Sequence, residues 1–189
     1  MKAHRFPPSH RERYRDRFRK RINRAPSPIV ALSVPWISIM LGSIVPAWLV
    51  IASAPLVPPL GFLMLVAWRQ LRPGLLPVWA GLPLGLFDDL YSGQPLGNGV
   101  FLWSVAVIVL DLVEARLPWR SFFTEWLVAA GLILGYLVFS LAIANLAGGA
   151  TPFHVIMPQI ILSTFLYPLV GRLVAGFDRF RLLPFRKVA

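Results

Sequence analysis

The chain has 189 residues, of which 57% are hydrophobic and 14% are charged. Soluble domains contain roughly 45–50% apolar and about 25% charged residues, so this composition excludes an ordinary soluble globule. Nineteen Lys and Arg against eight Asp and Glu give a net charge of +11. The absence of cysteine from the sequence excludes disulfides, thiolate metal sites and a cysteine nucleophile.

Long uncharged stretches predict membrane helices. Residues 25–68 form 44 positions without Lys, Arg, Asp or Glu. As one helix they would be about 66 Å long, whereas the hydrocarbon core of a bilayer is roughly 30 Å thick. Residues 126–171 form a similar stretch that is broken at Gly148 and Gly149. Each of the two stretches therefore predicts two crossings.

A further pair of uncharged stretches covers 73–87 and 90–110, separated by Asp88 and Asp89. One crossing on each side of this turn brings the total to six. The predicted fold is therefore an all-α integral membrane protein with six transmembrane helices. The predicted helices cover residues 31–52, 58–71, 75–91, 97–115, 122–146 and 153–173.

The distribution of basic residues predicts the orientation. Ten of the nineteen bases precede residue 25, and the others are Arg69, Arg72, Arg116, Arg120, Arg172, Arg179, Arg181, Arg186 and Lys187. Six crossings place all of them on one side of the membrane, and cytoplasmic segments are the ones that retain Lys and Arg. Both termini are therefore predicted to be cytoplasmic. The chain divides into a basic tail (1–28), a six-helix transmembrane domain (29–177) and a second basic tail (178–189).

Details of the predicted helices follow from proline and capping residues. Membrane helices tolerate proline when other groups satisfy the freed carbonyls. Kinks are predicted at Pro35, Pro46, Pro83, Pro158 and Pro168. The second helix starts after Pro58-Pro59 and is short for an upright crossing, which predicts shielding by neighbouring helices or a locally thinner bilayer. Ser121 predicts the start of the fifth helix, and Thr151 with Pro152 at the first helical position predicts the start of the sixth.

The N-terminal tail has a helical pattern. Tyr14, Phe18 and Ile22 recur every four residues and would form one apolar stripe on a helix. The bases around them are Arg11, Arg13, Arg15, Arg17, Arg19, Lys20 and Arg21. One hypothesis is an interfacial amphipathic helix on anionic lipid, and the alternative is a disordered tail that only sets the orientation of insertion. Nucleic acid is not predicted as a partner, because the membrane already offers an anionic surface.

The most distinctive segment is GLPLGLFDDLYSGQPLG, residues 81–97. A carboxylate near membrane depth is costly and usually has a partner. We expect one of the two, Asp89 rather than Asp88, to fold back onto the amides of Gly97, Asn98 or Gly99 with assistance from Ser92. Partner contact through this outer turn is a compatible second role. The candidate residues for the turn and for helix packing are Gly81, Gly85, Asp88, Asp89, Ser92, Gly93, Pro95 and Gly97.

This segment resembles the rod shape-determining protein MreD family in Gly81, Gly85, Asp89, Ser92, Gly93, Leu96 and Gly97, and the likeness extends over residues 29–177. Asp88 is an additional acid, and the basic tail is longer than the family's. The resemblance implies a non-enzymatic scaffold of the bacterial inner membrane without a cofactor. Its implied partner is MreC and, indirectly, MreB, RodA and a penicillin-binding transpeptidase, in side-wall peptidoglycan synthesis and rod shape.

Other functions have less support. A six-helix small-solute-binding subunit of an energy-coupling transporter is the alternative, but no inward cluster of polar groups is predicted from the sequence. Neither His-Glu-x-x-His nor Gly-x-Ser-x-Gly occurs, so no catalytic or metal-binding residue is predicted. Asp111 and Glu114 are expected to pair with Arg69, Arg72 or Arg116. Gly131 and Gly135 are expected to serve internal helix packing.

Overall fold

The computed structural model describes residues 24–25, 28–49, 57–116, 121–182 and 186–187. These contain six α-helices, in agreement with the predicted all-α fold: α1 (Pro28–Leu49), α2 (Leu60–Leu71), α3 (Gly81–Ser92), α4 (Asn98–Arg116), α5 (Phe122–Leu146) and α6 (Met157–Arg181). Short 3-10 helices at Val78–Ala80 and Phe153–Ile156 precede α3 and α6. Two-residue strands β1 (Arg24–Ala25) and β2 (Arg186–Lys187) pair antiparallel, which brings the segments before α1 and after α6 together.

Within the described residues, three stretches are long and apolar enough to cross a membrane by length and composition: Asn98–Arg116, Phe122–Leu146 and Phe153–Arg181. Ala31–Pro46 and Leu60–Leu71 are apolar but shorter. Large apolar side chains are exposed along the outside of the bundle, as on Phe101 and Phe139. A surface of this kind suits lipid rather than water, so the chain is a membrane protein.

The short helix α2 lies at the centre of the bundle. Every residue from Gly61 to Gln70 is buried, and α1, α4, α5 and α6 all pack against it. Twelve helical residues span only about 18 Å. A helix enclosed by protein does not need to match the bilayer thickness, because neighbouring helices rather than lipid surround its length. The predicted shielding of this segment by its neighbours is therefore confirmed.

The helix boundaries differ from prediction around α3 and α6. The third helix starts at Gly81 instead of residue 75, because Gly74 has a φ of +77° and Pro77 is extended. The sixth starts at Met157, after the 3-10 helix, and reaches Arg181 instead of residue 173. It therefore includes the first residues of the predicted C-terminal tail.

These boundaries also move two prolines out of helix interiors. Pro83 and Pro158 fall in the first turns of α3 and α6, where a backbone N–H has no intrahelical partner to lose. The kinks predicted at these two positions are wrong for that reason. Pro35 and Pro46 lie inside α1, and Pro168 lies inside α6.

Side chains satisfy carbonyl groups that the internal prolines free. Pro35 leaves the carbonyl of Ala31 without its helical donor, and Nη1 of Arg181 donates to that oxygen at 3.1 Å. Pro168 does the same to Thr164, whose carbonyl accepts a 3.1 Å hydrogen bond from Nε1 of Trp126. Both contacts join different helices, so the prolines add inter-helix hydrogen bonds to the bundle.

Ion pairs gather at the basic end of the bundle. Asp178 of α6 accepts hydrogen bonds of 2.8 and 3.0 Å from Arg72, just past α2, and one of 2.7 Å from Arg181. The hydrogen bonds and negative charge of Asp178 raise the pKa of the Arg72 guanidinium above its ordinary value. Arg69 pairs with Asp111, which confirms the predicted pairing of that acid with a base from the α2 end.

The glycines of α5 do not pack inside the bundle. A side chain at Gly131 or Gly135 would meet no atom within 4 Å. The expectation of internal packing is therefore wrong for this pair, because α5 turns its two glycines away from its neighbours.

Candidate functional site

The carboxyl group of Asp89 caps the helix that follows its own. Its Oδ2 accepts a 2.8 Å hydrogen bond from the backbone nitrogen of Gly97, and its Oδ1 accepts one of 2.6 Å from that of Gly99. The nitrogen of Val100 lies 3.3 Å from Oδ2. The sequence predicted this return onto Gly97, Asn98 or Gly99, and two of those three amides are the ones bound.

The cap explains how a carboxylate is tolerated in a buried position. The side chain of Asp89 is buried, yet it faces the first amides of α4, which are donors without intrahelical partners. The partial positive charge at a helix N-terminus also favours an anion there. Asp89 therefore fixes the angle at which α4 leaves the turn.

Glycines bring α3 and α4 into backbone contact. A Cβ atom on Gly81 would lie 2.7 Å from the Cα atom of Ser104, and one on Gly85 would overlap the carbonyl group of Gly99. On Gly99 itself, a Cβ atom would lie 2.7 Å from Oδ1 of Asp89. The sequence predicted Gly99 as one of the possible amide partners of Asp89 but not as a residue of the close helix contact, and the structure shows that it is both.

The turn between the two helices depends on left-handed glycines. Gly93 ends α3 with a φ of +67°, and Gly97 has a φ of +95° just before α4. The carbonyl group of Pro95 accepts a hydrogen bond from the nitrogen of Asn98 at 3.1 Å. The predicted assistance of Ser92 to the cap is not seen among the described contacts. Its side chain is exposed and lines a neighbouring cavity, whereas Asp89 reaches the amides by itself.

Asp88 points to the other side of α3. It is 8% exposed, and its Oδ2 accepts a long 3.5 Å hydrogen bond from the hydroxyl group of Tyr136. The Ser43 hydroxyl lies next to the same carboxyl group but has no hydrogen bond of good geometry. Consecutive helical residues point about 100° apart, so the two acids face different neighbours.

The side chain of Asp88 lines a cavity of about 410 Å³ between α1, α2, α3, α5 and α6. Its polar lining includes Ser43, Asp88, Gln94, Tyr136, Ser140 and Gln159. The sequence analysis predicted no inward polar cluster, and that prediction is wrong. These residues are spread over four helices and a turn, so the cluster exists only after folding. Asn145 is not part of this lining, and its side chain hydrogen-bonds to the backbone of Thr151 in the loop.

The candidate residues of the N-terminal tail, from Arg11 to Ile22, lie outside the described residues. Among the residues that the structure does describe, no group of three or more His, Cys, Asp or Glu side chains could hold a metal ion. The candidate site is the turn capped by Asp89 together with the polar cavity beside it.

Comparison with known proteins places the chain in a family. It is similar to the Na(+)/H(+) antiporter NhaA of Enterobacter sp. (strain 638), with 34% identity over 103 residues. That stretch is 54% of this chain but only 24% of the antiporter, so the likeness covers about a quarter of that protein. No solved structure matches the chain. The model of the family described as rod shape-determining protein MreD matches residues 28–177, which include all six helices apart from the last turn of α6. The chain therefore belongs to the rod shape-determining protein MreD family.

Proposed function

We propose that this protein is a non-enzymatic scaffold of the bacterial cell-elongation machinery. In this role it binds MreC and supports side-wall peptidoglycan synthesis and rod shape. MreB, RodA and a penicillin-binding transpeptidase are its indirect partners through MreC. The family match over residues 28–177 carries the proposal, since this family is a structural component that determines cell shape.

Helix α5 offers a surface for the membrane anchor of a partner. Gly131 and Gly135 are four residues apart on α5, and open space surrounds both. Small residues at this spacing let another helix approach closely in lipid. Leu127 and Leu134 on the same helix are about half exposed, so they would pack against such a helix.

Co-purification with MreC from detergent tests the proposal. We expect the two proteins to form a complex, and we expect Gly131→Leu with Gly135→Leu to reduce the recovered MreC at least tenfold. The control is Gly171→Leu with Gly176→Leu on α6, where added side chains also meet open space. Two well-folded proteins that form no complex would contradict MreC binding. Loss in both double variants would contradict only the assignment to α5.

The second part of the proposal is location in the inner membrane with six crossings and the basic end towards the cytoplasm. The bases that form ion pairs in the described bundle lie at one end of it, where Arg181 also contacts the first turn of α1 through Ala31. Cations at one end of a bundle are retained on the cytoplasmic side. Anionic lipid of the inner leaflet is the proposed partner of the N-terminal tail.

The tail is tested with a synthetic peptide of residues 1–26 and vesicles. If it forms an interfacial helix, helicity by circular dichroism should rise with anionic vesicles and remain low with neutral ones. Replacement of Tyr14, Phe18 and Ile22 by serine should abolish the rise while preserving every positive charge. Equal helicity on both kinds of vesicle would refute binding to anionic lipid.

The polar cavity favours a second candidate function, a small-solute-binding subunit of an energy-coupling transporter. The similarity to part of an antiporter points in the same direction. The test is co-purification with the energy-coupling subunits of the same organism. Association with those subunits, and not with MreC, would replace the scaffold proposal.

A further inference from the structure

Asp88 is not needed for the cap. Asp89 makes all three contacts with the amides of α4, and Asp88 makes none of them. Asp88 is also the acid that the family resemblance leaves without a role. Among the described residues, the hydroxyl group of Tyr136 donates a long 3.5 Å hydrogen bond to it, and the Ser43 hydroxyl lies beside it without good hydrogen-bond geometry. A buried carboxylate normally has stronger partners, so this one is available to a ligand.

No base neutralises Asp88 within the part of the chain that the structure describes. The ion pairs there involve Arg69, Arg72 and Arg181, which lie at the basic end of the bundle. Asp88 belongs to the opposite end, beside the turn at Gln94. A carboxylate at membrane depth is costly unless a cation or a wet environment compensates it. The cavity supplies the space in which a cation can approach.

The rest of the cavity suits the nitrogen of an organic cation. The Ser43 hydroxyl group is buried, lines the cavity and lacks a hydrogen bond of good geometry. Gln159 donates its side-chain nitrogen to the carbonyl of Val57 at 2.7 Å, and its amide oxygen is left as an acceptor. Leu137 and Leu141 form part of an apolar wall. A volume of about 410 Å³ is within the usual range of small-molecule sites.

We infer that this cavity binds a primary ammonium group with a short carbon chain. The ammonium donates to the carboxylate of Asp88 and to Ser43, and the carbon chain lies against Leu137 and Leu141. Two sources share this chemistry: a free small amine and the ethanolamine headgroup of a phospholipid. The inference goes beyond the proposed scaffold function and does not depend on the binding of MreC.

The test uses the full-length protein in nanodiscs of phosphatidylglycerol, with empty nanodiscs as background. Butylamine and ethanolamine are titrated calorimetrically, and uncharged butanol is the matched probe. We expect saturable binding of both amines and none of butanol. Asp88→Asn should weaken amine binding at least tenfold, which is about 1.4 kcal/mol. Glu125→Gln, which removes a carboxylate outside the cavity, should leave binding unchanged.

Nanodiscs that contain phosphatidylethanolamine distinguish the two sources. If that lipid weakens binding of butylamine at least tenfold and phosphatidylcholine does not, the lipid headgroup is the occupant. If neither lipid competes, the occupant is a free amine. Absence of saturable amine binding overturns the inference, and so does equal binding of butanol. The comparison of butylamine with butanol on the unaltered protein remains decisive if Asp88→Asn fails to fold.

Discussion

Oδ1 of Asp89 lies 2.6 Å from the backbone nitrogen of Gly99, which makes a side chain of α3 the cap of α4. The same Gly99 is the residue whose carbonyl group a side chain on Gly85 would overlap. The cap and the close helix contact therefore meet at one residue. The helices cannot separate without loss of the cap, and the cap cannot be lost without freeing the first amides of α4.

Replacement of Asp89 tests the importance of the cap. Asp89→Ala leaves the amides of Gly97 and Gly99 without an acceptor, and we expect it to cost about 1–3 kcal/mol of stability and to lower membrane abundance. Asp89→Asn keeps one acceptor oxygen and should lie between Ala and the native residue. Both variants are expressed in cells depleted of their own shape protein, and abundance and rod morphology are recorded. Normal abundance of Asp89→Ala with loss of rod shape would instead show that the carboxylate acts on a partner.

Gly85→Ala tests the contact between α3 and α4. The added Cβ would overlap the Gly99 carbonyl, so the helices must separate, and overpacking of this kind costs about 1–3 kcal/mol. Gly131→Ala is the matched control, because a side chain there meets open space and alanine favours a helix over glycine by about 1 kcal/mol. The measurement is the fraction of monodisperse protein by size exclusion after heating in detergent. Equal midpoints for the two variants would contradict the close contact.

Two pairs of glycines show how much of the helix packing could be predicted from the sequence. Gly81 and Gly85 have the same four-residue spacing as Gly131 and Gly135, yet only the first pair packs inside the bundle. Spacing places two glycines on one face of a helix, but it does not say which face meets another helix. The helix count was predictable because uncharged stretches are a local property. The cavity was not, because Ser43, Asp88 and Tyr136 come together only through the packing of α1, α3 and α5.

The ion pairs of Asp178 predict that Asp178→Ala and Arg181→Ala lower the stability of the protein more than Arg72→Ala does. The side chains of Asp178 and Arg181 are 8% exposed, whereas that of Arg72 is 49% exposed. Asp178→Ala leaves the buried Arg181 without its carboxylate and should cost about 3–5 kcal/mol. Arg72→Ala removes a half-exposed partner and should cost at most about 1 kcal/mol. Arg181→Ala should resemble Asp178→Ala, since it also frees the carbonyl group of Ala31. Heating midpoints by size exclusion in detergent provide the comparison, and a larger effect of Arg72→Ala than of Asp178→Ala would contradict this ranking.

The orientation of the bundle can be tested with single cysteines, because the native sequence contains none that would react in the background. Ser92 is exposed beside the capped turn, and Arg179 is exposed at the basic end of α6. In intact cells with a permeable outer membrane, a membrane-impermeant maleimide should label Ser92→Cys and should not label Arg179→Cys. After disruption of the inner membrane both should react. Three helices, α4, α5 and α6, lie between Ser92 and Arg179. If each of them crosses the membrane and the basic residues are held at the inner leaflet, the turn at Ser92 faces outwards. Labelling of Ser92→Cys only after disruption would contradict the proposed orientation.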